Sequence, residues 1–429
     1  MQEAEIRNFI AILEEELVPA LGCTEPIAIA YAAAKAREAL GVLPERAVTY
    51  CSGNIVKNVK SVTVPNSNGL RGIEAATTLG IVGGAADQQL EVLRQVQPED
   101  IEKTRALLAA DFCRTDLVKD VDKLYIRVWV EGDGHTASVT IQGHHTNITD
   151  ILRDEQVVLH KDYTPAQAQK RKGDRTQLTV AKILEFAKVV DLAPLQAALA
   201  RQIEYNNKIA DEGVARIYGS GVAQAILNNM PHTPFTMARA RAAAASEARM
   251  SGCPLPVVIN AGSGNQGILV SVPVITFARQ MGYPDEKLYR ALIVSNLVSI
   301  HLKRHIGDLS AFCGAITASC GVGAAVGYLE DADYQVIADA ISNNLASVGG
   351  IICDGAKPSC AAKVASALDS MYISYCMARD NRAFGAGDGI VGMDVEHTIQ
   401  SIGRIGSIGM EGTDQEILQI MLQTRPVDC

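Results

Sequence analysis

The chain has 429 residues, of which 48% are apolar and only 5% aromatic, so it is long enough to bury a core without disulfide staples. Its formal net charge of −9 argues against nucleic acid as the main partner, because phosphate binding needs a basic face. The acidic, amphipathic N-terminal segment MQEAEIRNFIAILEEEL is unlike a secretory signal, and it predicts a cytoplasmic protein.

The first part of the chain predicts two helices followed by strands. Helical periodicity covers residues 3–18, and a second helix is expected over 27–40. β-Branched or alternating segments predict strands at 48–52, 59–64, 124–130 and 136–142, with helices near 71–94 and 98–110 between them. The sequence EGDGH at 131–135 predicts a hairpin turn between the last two strands.

From about residue 176 onward the pattern is helical, with Gly-rich breaks at 260–267, 353–360 and 384–392. We therefore expect an α+β fold in which a large, mainly helical domain carries a small α/β domain inserted after two N-terminal helices. The predicted bounds are 1–44 for the N-terminal helices that join the catalytic domain, 45–165 for the small α/β domain and 166–429 for the helical catalytic domain.

The uncharged run at 312–329 is near the minimum length of a membrane span. Because it is rich in Gly and Ala and poor in Leu and Phe, it predicts a buried core helix and no association with a membrane.

The Gly-rich loop from Gly262 to Gly267 matches the pattern G-x-G-x-x-G. A dinucleotide site also needs a second strand that ends in an acidic residue, and no such strand follows this loop in the sequence. A loop that lines a binding site is the better interpretation.

Ten cysteines without a secretory signal argue against a disulfide framework and allow some of them to bind metal. Two C-x6-C pairs stand out, Cys313 with Cys320 and Cys353 with Cys360. If 311–329 is one helix, the first pair is separated by about 10 Å and cannot grip one small site. The expected ligands are therefore Cys353, Cys360 and either Cys313 or Cys320, and three thiolates suit a 4Fe–4S cluster with one open iron.

Cys23 has a different sequence context. It precedes a predicted helix, with Thr24 as a candidate N-cap and Pro26 in the first turn. A helix N-terminus favours the thiolate form of cysteine, which could act as a base.

Two polar turns flank the predicted strand at 59–64, and either ordinary turn chemistry or carboxylate binding would account for them. Their candidate substrate-binding residues are Ser52, Asn54, Asn66, Ser67, Asn68 and Gly69.

Several of these motifs together resemble a known family over nearly the whole chain. LGCTEP at 21–26, SGNIVKNVKSVTVPN at 52–66, the NAGSGNQG loop and Cys313 with CDGAKPSC at 353–360 are similar to the L-cysteine desulfidases, which are related to the α-part of iron–sulfur L-serine dehydratases. The resemblance implies an oxygen-labile 4Fe–4S cluster held by Cys313, Cys353 and Cys360, with Cys23 as the base.

The resemblance also implies conversion of L-cysteine to pyruvate, ammonia and hydrogen sulfide, without pyridoxal phosphate. L-Serine dehydratase activity is the alternative within the same chemistry, and a non-catalytic iron–sulfur carrier or redox protein is the alternative of another class. The sequence leaves open whether the chain forms a homo-oligomer and whether the C-terminal Cys429 reaches the open iron.

Overall fold

A computed structural model describes residues 1–164, 172–307 and 309–423. The α-helices of these residues are α1 Glu3–Glu16, α2 Thr24–Leu40, α3 Gly53–Val59, α4 Gly72–Gly83, α5 Pro98–Ala109, α6 Val180–Val189, α7 Gln196–Ala215, α8 Val222–Asn229, α9 Pro234–Met250, α10 Gly264–Gln280, α11 Asp285–Ile306, α12 Gly314–Leu329, α13 Tyr334–Val348, α14 Cys360–Arg379, α15 Val395–Arg404 and α16 Glu411–Gln423. The strands are β1 Pro19–Leu21, β2 Arg46–Ser52, β3 Cys113–Val118, β4 Tyr125–Gly132, β5 His135–Gln142, β6 Ile148–Arg153, β7 Gln156–His160 and β8 Pro256–Val258.

The larger core is built from helices that pack on all sides. α10, α11 and α12 are buried along most of their length, and α1, α7, α9, α13 and α14 pack around them. α12 has no charged residue and is rich in Gly and Ala, which allows close helix contacts: a Cβ on Gly321 would lie 2.3 Å from the backbone oxygen of Ser295 in α11. The uncharged run is therefore a core helix, and none of the described helices has the length and apolarity that a membrane crossing requires.

The second core lies between a sheet and two helices. Six strands of the described chain pair in the order β3-β2-β4-β5-β6-β7, with β2 and β3 parallel and the other neighbours antiparallel. β4 alternates buried and half-buried residues, as expected for a sheet with one covered face. α2 covers this sheet, and α4 packs against α2.

The expected α+β class, a large mainly helical part with a small sheet, is confirmed. α1 packs in the helical core, whereas the buried residues of α2 belong to the core under the sheet. The domain bounds 1–44, 45–165 and 166–429 stay a prediction, and the boundary at 165–166 lies outside the described residues.

The predicted hairpin turn is present, whereas one predicted strand is not. Asp133 and Gly134 both have positive φ, at 51° and 73°, and join β4 to β5 as the Asp-Gly pair predicts. The strand predicted at 59–64 is wrong: α3 begins after Ser52, which caps it, and beyond α3 this stretch has only a single bridge from Thr63 to Arg71. Val59 ends α3, while Val62 and Val64 are buried in an irregular loop; β-branched residues are favoured by burial as well as by strand pairing.

Asn206 on α7 fixes the ribbon in which β1 pairs with β8 to the helical core. Its side chain accepts a hydrogen bond from the backbone N–H of Val258 at 2.7 Å and donates to the backbone oxygens of Val258 and Gly267 at 3.1 and 3.0 Å. Asn206 is fully buried, so the backbone groups that it satisfies have no access to water.

We expect Asn206→Ala to lower the free energy of unfolding by about 2–4 kcal/mol, because it strands buried backbone groups without a partner. Urea denaturation followed by circular dichroism measures this loss. Asn207→Ala, the next residue on the same helix and only half buried, is the control and should cost much less. Equal losses in the two variants would contradict the role given to Asn206.

Candidate functional site

One pocket lies where four helices begin. Its volume is about 120 Å³, and its walls include Cys23, Ser263 and Cys313, which are the N-cap residues of α2, α10 and α12. Cys360, the first residue of α14, also lines it. The N-terminus of a helix carries a partial positive charge and unpaired N–H groups, so this pocket is suited to anionic groups.

The segments that carry Cys313 and Cys353 pair with each other. An isolated antiparallel bridge joins Phe312 to Ile352. The N–H of Cys313 donates to the oxygen of Ile351 at 3.0 Å, and the N–H of Cys353 donates to the oxygen of Ala311 at 2.5 Å. Two cysteines that are 40 residues apart in sequence are thereby held beside one another.

The loop from Cys353 to Cys360 curls back to the same pocket, as its Gly and Pro residues predict. Gly355 has φ of +97°, and a Cβ there would lie 2.4 Å from the backbone oxygen of Lys57 on α3. This position therefore needs glycine both for its conformation and for its close contact with α3. Pro358 lies just before the start of α14, where Cys360 turns its thiol into the pocket wall.

The three cysteines affect one another electrostatically. Burial, followed by the charge of a neighbouring Cys353 thiolate, raises the pKa of Cys313 to about 12. Burial and the same neighbour raise the pKa of Cys360. Ionising Cys313 and Cys360 is therefore costly, and a bound cation would offset that cost, since metal ligands must be deprotonated.

The three cysteines are a donor set that could hold an iron–sulfur cluster. Across the described parts of the chain, no three His, Cys, Asp or Glu side chains are grouped closely enough to hold one metal ion. Each thiolate of a cluster binds a different iron, so its ligands can stand farther apart than those of a single ion. Cys313, Cys353 and Cys360 all line one pocket, so each could bind a different iron there.

Cys320 lies apart from these residues. It is fully buried inside α12 and accepts a hydrogen bond from the side-chain amide of Asn344 at 3.3 Å. It does not line the pocket, so of the two alternatives left open by the cysteine spacing, Cys313 is the one beside Cys353 and Cys360. Cys429 lies outside the described residues.

Cys23 is itself the N-cap of α2, so the expectation that Thr24 caps this helix is wrong. The thiol is 4% exposed and donates a hydrogen bond to the Oε2 atom of Glu25 at 3.0 Å. Burial and the charge of Glu25 raise the pKa of Cys23 well above its ordinary value. The thiolate expected from the helix N-terminus alone is therefore disfavoured in the free protein, where the thiol is protonated.

Glu25 is the residue of this pocket that sequence reasoning missed. Its Oε1 atom accepts a hydrogen bond from Asn58 at 2.9 Å, and its Oε2 atom lies 3.1 Å from the hydroxyl of Thr24. Burial opposes ionisation, but His145, the Cys23 thiol and Arg249 outweigh it and hold the pKa of Glu25 below its ordinary value. The carboxylate next to Cys23 is therefore charged, and it accepts the hydrogen bond of the Cys23 thiol.

The residues of the first polar turn form structural hydrogen bonds outside the pocket. Ser52 caps α3 and donates to the backbone oxygen of Lys123 at 2.6 Å. Asn54 donates to Asp414 of α16 at 2.9 Å, and Lys57 forms an ion pair with the same carboxylate. These bonds fasten the C-terminal helix to α3, so neither Ser52 nor Asn54 reaches the cysteines.

The second polar turn is also used locally. Asn66 donates to the oxygen of Leu93 at 3.0 Å, and Ser67 donates to the oxygen of Val64 at 2.7 Å. The backbone oxygen of Asn68 accepts from Arg105 at 2.8 Å, and Gly69 takes φ of +89° to close the turn. None of these four residues lines the cysteine pocket, so the carboxylate-binding groups must be sought elsewhere.

A larger pocket of about 500 Å³ adjoins the first. Both are lined by Glu25, Ser263 and Leu309, so these residues form the boundary between them. The outer pocket is edged by charged and imidazole side chains, including Glu15, Arg175 and His145. The two pockets therefore share part of their walls.

The fold and the pocket define a mainly helical α+β protein with a cysteine-lined cavity, and the comparisons place it in a family. The model of the serine dehydratase alpha chain family matches residues 87–419, which include Cys313, Cys353 and Cys360. The chain belongs to this family, and the predicted relation to the α-part of serine dehydratases is confirmed.

Full-length relatives extend this likeness to the N-terminal segment. The chain is 46% identical over 416 residues to a UPF0597 protein of Lachnoclostridium phytofermentans, covering 97% of this chain and 99% of the relative. It is 45% identical over 421 residues to one of Desulfitobacterium hafniense, covering 98% of each chain, and 46% identical over 421 residues to one of Finegoldia magna, covering 97% and 100%.

The contact between Cys23 and Glu25 is expected to control the pKa of the thiol. We expect Glu25→Gln to lower the pKa of Cys23, because it removes a negative charge and the acceptor that stabilises the protonated thiol. The rate of alkylation of Cys23 by iodoacetamide, followed by mass spectrometry, should then rise at a lower pH than in the wild type.

Glu74→Gln is the matched control, since the charge of Glu74 acts on Cys51 and Cys113. It should leave the pH profile of Cys23 unchanged. A profile that does not move in Glu25→Gln, or that moves to higher pH, would show that Glu25 does not control this thiol.

Proposed function

We propose that this protein is a 4Fe–4S-dependent lyase that catalyses α,β-elimination from L-cysteine to give pyruvate, ammonia and hydrogen sulfide. The observation that carries the proposal is the sharing of one pocket by three cysteines and the hydrogen-bonded pair of the Cys23 thiol and the Glu25 carboxylate. Membership of the serine dehydratase alpha chain family supports elimination from a small amino acid. L-Serine, with hydroxide as the leaving group, is the second candidate substrate.

Cys313, Cys353 and Cys360 would hold the cluster in this proposal. When bound, the cluster supplies a Lewis acid at the iron that has no protein thiolate, and this stabilises the negative charge of the leaving sulfide. The helix N-termini at Cys313 and Cys360 favour the thiolate form that ligation requires.

Cys23 and Glu25 would move the protons. The Cys23 thiol passes its proton to the Glu25 carboxylate, to which it is already hydrogen-bonded at 3.0 Å. The thiolate then takes the Cα proton of the substrate, and the electron pair left on Cα forms the Cα=Cβ bond as the Cβ–S bond breaks. The proton on Glu25 goes to the departing sulfide, so both side chains end in their starting forms.

The product of this step is an enamine, which leaves as an imine and hydrolyses in water to pyruvate and ammonia. The route activates the leaving group directly, so the proposal gives no role to pyridoxal phosphate. Free thiols and an oxygen-labile cluster need a reducing compartment, and the proposed site of action is the cytoplasm.

A non-catalytic iron–sulfur carrier or redox protein is the alternative from another class. A carrier needs ligands for its cluster but no base beside them, whereas here Cys23 and Glu25 line the same pocket as the three cysteines. Turnover of L-cysteine by anaerobically prepared protein, measured beside L-serine, tests the proposal. Absence of turnover with both amino acids, in protein that holds a full cluster, would favour the carrier.

The ligand assignment predicts different results for two cysteines that stand seven residues apart. We expect Cys313→Ala to lose the visible absorbance of the cluster and most of its iron after anaerobic reconstitution, since one of three thiolates is gone. Cys353→Ala and Cys360→Ala should behave alike. Cys320→Ala is the control and should keep its iron, because Cys320 accepts a hydrogen bond from Asn344 within the core. Loss of iron in Cys320→Ala with full iron in Cys313→Ala would exchange the roles of the two cysteines.

The base assignment separates cluster content from turnover. We expect Cys23→Ala to keep its cluster but to lose about 10²–10⁴ in rate, as is typical when a general base is removed. Exchange of the substrate Cα proton with solvent deuterium should fall in parallel. Cys376→Ala, a half-buried thiol on α14, is the control; near-normal exchange in Cys23→Ala would move the base elsewhere.

A further inference from the structure

Arg249, near the end of α9, is a buried cation without a carboxylate partner. Its residue is 3% exposed, and it lines the cysteine pocket. Within residues 1–164, 172–307 and 309–423, the other buried arginines are Arg175, which pairs with Glu15 and Glu16, and Arg239, which pairs with Asp369. No Asp or Glu of the same ranges lies within ion-pair distance of Arg249.

The hydrogen bonds of Arg249 are equally incomplete. A guanidinium has five N–H donors, and among the residues that the structure describes that of Arg249 makes one bond, from Nη2 to the backbone oxygen of Gly22 at 2.6 Å. Its Nε atom is buried and has no partner among the described residues. Burial of an unpaired charge is costly, so an anionic group that enters the pocket would stabilise this side chain.

The Gly-rich loop explains how the guanidinium comes to lie there. A Cβ on Gly264 would stand 2.3 Å from Nε and 2.5 Å from Cζ of Arg249, so only glycine leaves room for it. Gly264 is also the first residue of α10, a helix of 17 residues whose opening N–H groups have no partner within the helix. The G-x-G-x-x-G pattern thus packs a helix N-terminus against a buried guanidinium, and both favour an anion.

The same pocket also carries negative charge. Glu25 lines it and is near enough to Arg249 to feel its charge, but the two groups are not an ion pair. Asn58, which is hydrogen-bonded to Glu25, also has a buried side-chain oxygen without a partner among the described residues. A cation and acceptor groups in one small pocket complement a zwitterion, in which a carboxylate and an ammonium stand one carbon apart.

We propose that Arg249, together with the first turn of α10, binds the α-carboxylate of the amino-acid substrate. This inference rests on the proposed function, and it assigns the carboxylate to this pocket in place of the turns at 52–54 and 66–69. With the carboxylate on Arg249, the adjacent Cα lies toward Cys23 and Glu25, which remove its proton. The site then selects free amino acids over esters, amides and residues within a peptide.

Binding of a non-reacting pair of ligands tests the inference directly. L-Alanine has the carboxylate and the ammonium but no β-leaving group, and L-alaninamide lacks only the carboxylate charge. Calorimetric titration of the anaerobically reconstituted protein should show L-alanine bound at least about 10-fold more tightly. Arg249→Met should weaken L-alanine by about 10- to 100-fold and leave L-alaninamide nearly unchanged, so that the preference disappears.

Two further variants and one control sharpen the result. Arg249→Lys keeps the charge but loses the planar fork of donors, and it should retain part of the preference. Gly264→Ala displaces the guanidinium while keeping it in the chain, and it should lose the preference as well. Arg241→Met, on the same helix but paired with Asp211, is the control and should bind both ligands like the wild type.

Several outcomes would overturn the assignment. Wild-type protein that binds the two ligands equally, or binds neither, contradicts it before any variant is made. A preference that survives in Arg249→Met but is lost in Lys303→Met would place the carboxylate on Lys303, another cation of the pocket wall. These titrations need no cleavage of the ligand. If the proposed lyase activity is wrong but the carboxylate site is right, the wild type will prefer L-alanine and yet show no turnover.

Discussion

The convergence of four helix N-termini on one small pocket is the constraint on which the rest of the site depends. α2, α10, α12 and α14 all begin at its walls, so partial positive charge and unpaired N–H groups gather around one small pocket. Such an arrangement is stable only beside acceptors or negative charge. Three cysteines that can ionise, the carboxylate of Glu25 and, in our proposal, the carboxylate of a substrate supply it.

The cysteines of this pocket have two different environments. Cys313 and Cys360 are near Cys353, whose charge adds to burial in raising the pKa of both thiols. Cys23 instead is hydrogen-bonded to Glu25, which favours its protonated form. In our proposal these neighbours give the same residue type two roles, as cluster ligand and as proton carrier.

The site is assembled from distant parts of the chain. Residues 87–419, which match the serine dehydratase alpha chain family, contain the three cysteines and Arg249 but not Cys23 or Glu25. The short ribbon in which β1 pairs with β8 brings the N-terminal residues of the site to the others, because Cys23 follows β1 and Ser263 follows β8. Asn206 holds that ribbon against α7, so a buried hydrogen-bonding side chain that does not line the pocket supports the segments that lead into it.

The sequence by itself determined the features that depend on short-range rules. Periodicity located the N-terminal helices, Asp-Gly fixed the hairpin after β4, and Gly355 with Pro358 marked a loop that brings Cys353 and Cys360 together. Only the tertiary structure decided which polar groups meet. The Ser and Asn residues of the two turns form hydrogen bonds with nearby backbone and with α16, whereas Glu25 and Arg249, in sequence contexts that marked neither residue, line the same pocket. Spacing along a chain cannot reveal such a pair, because the bond that orients Arg249 joins it to Gly22, which is 227 positions away.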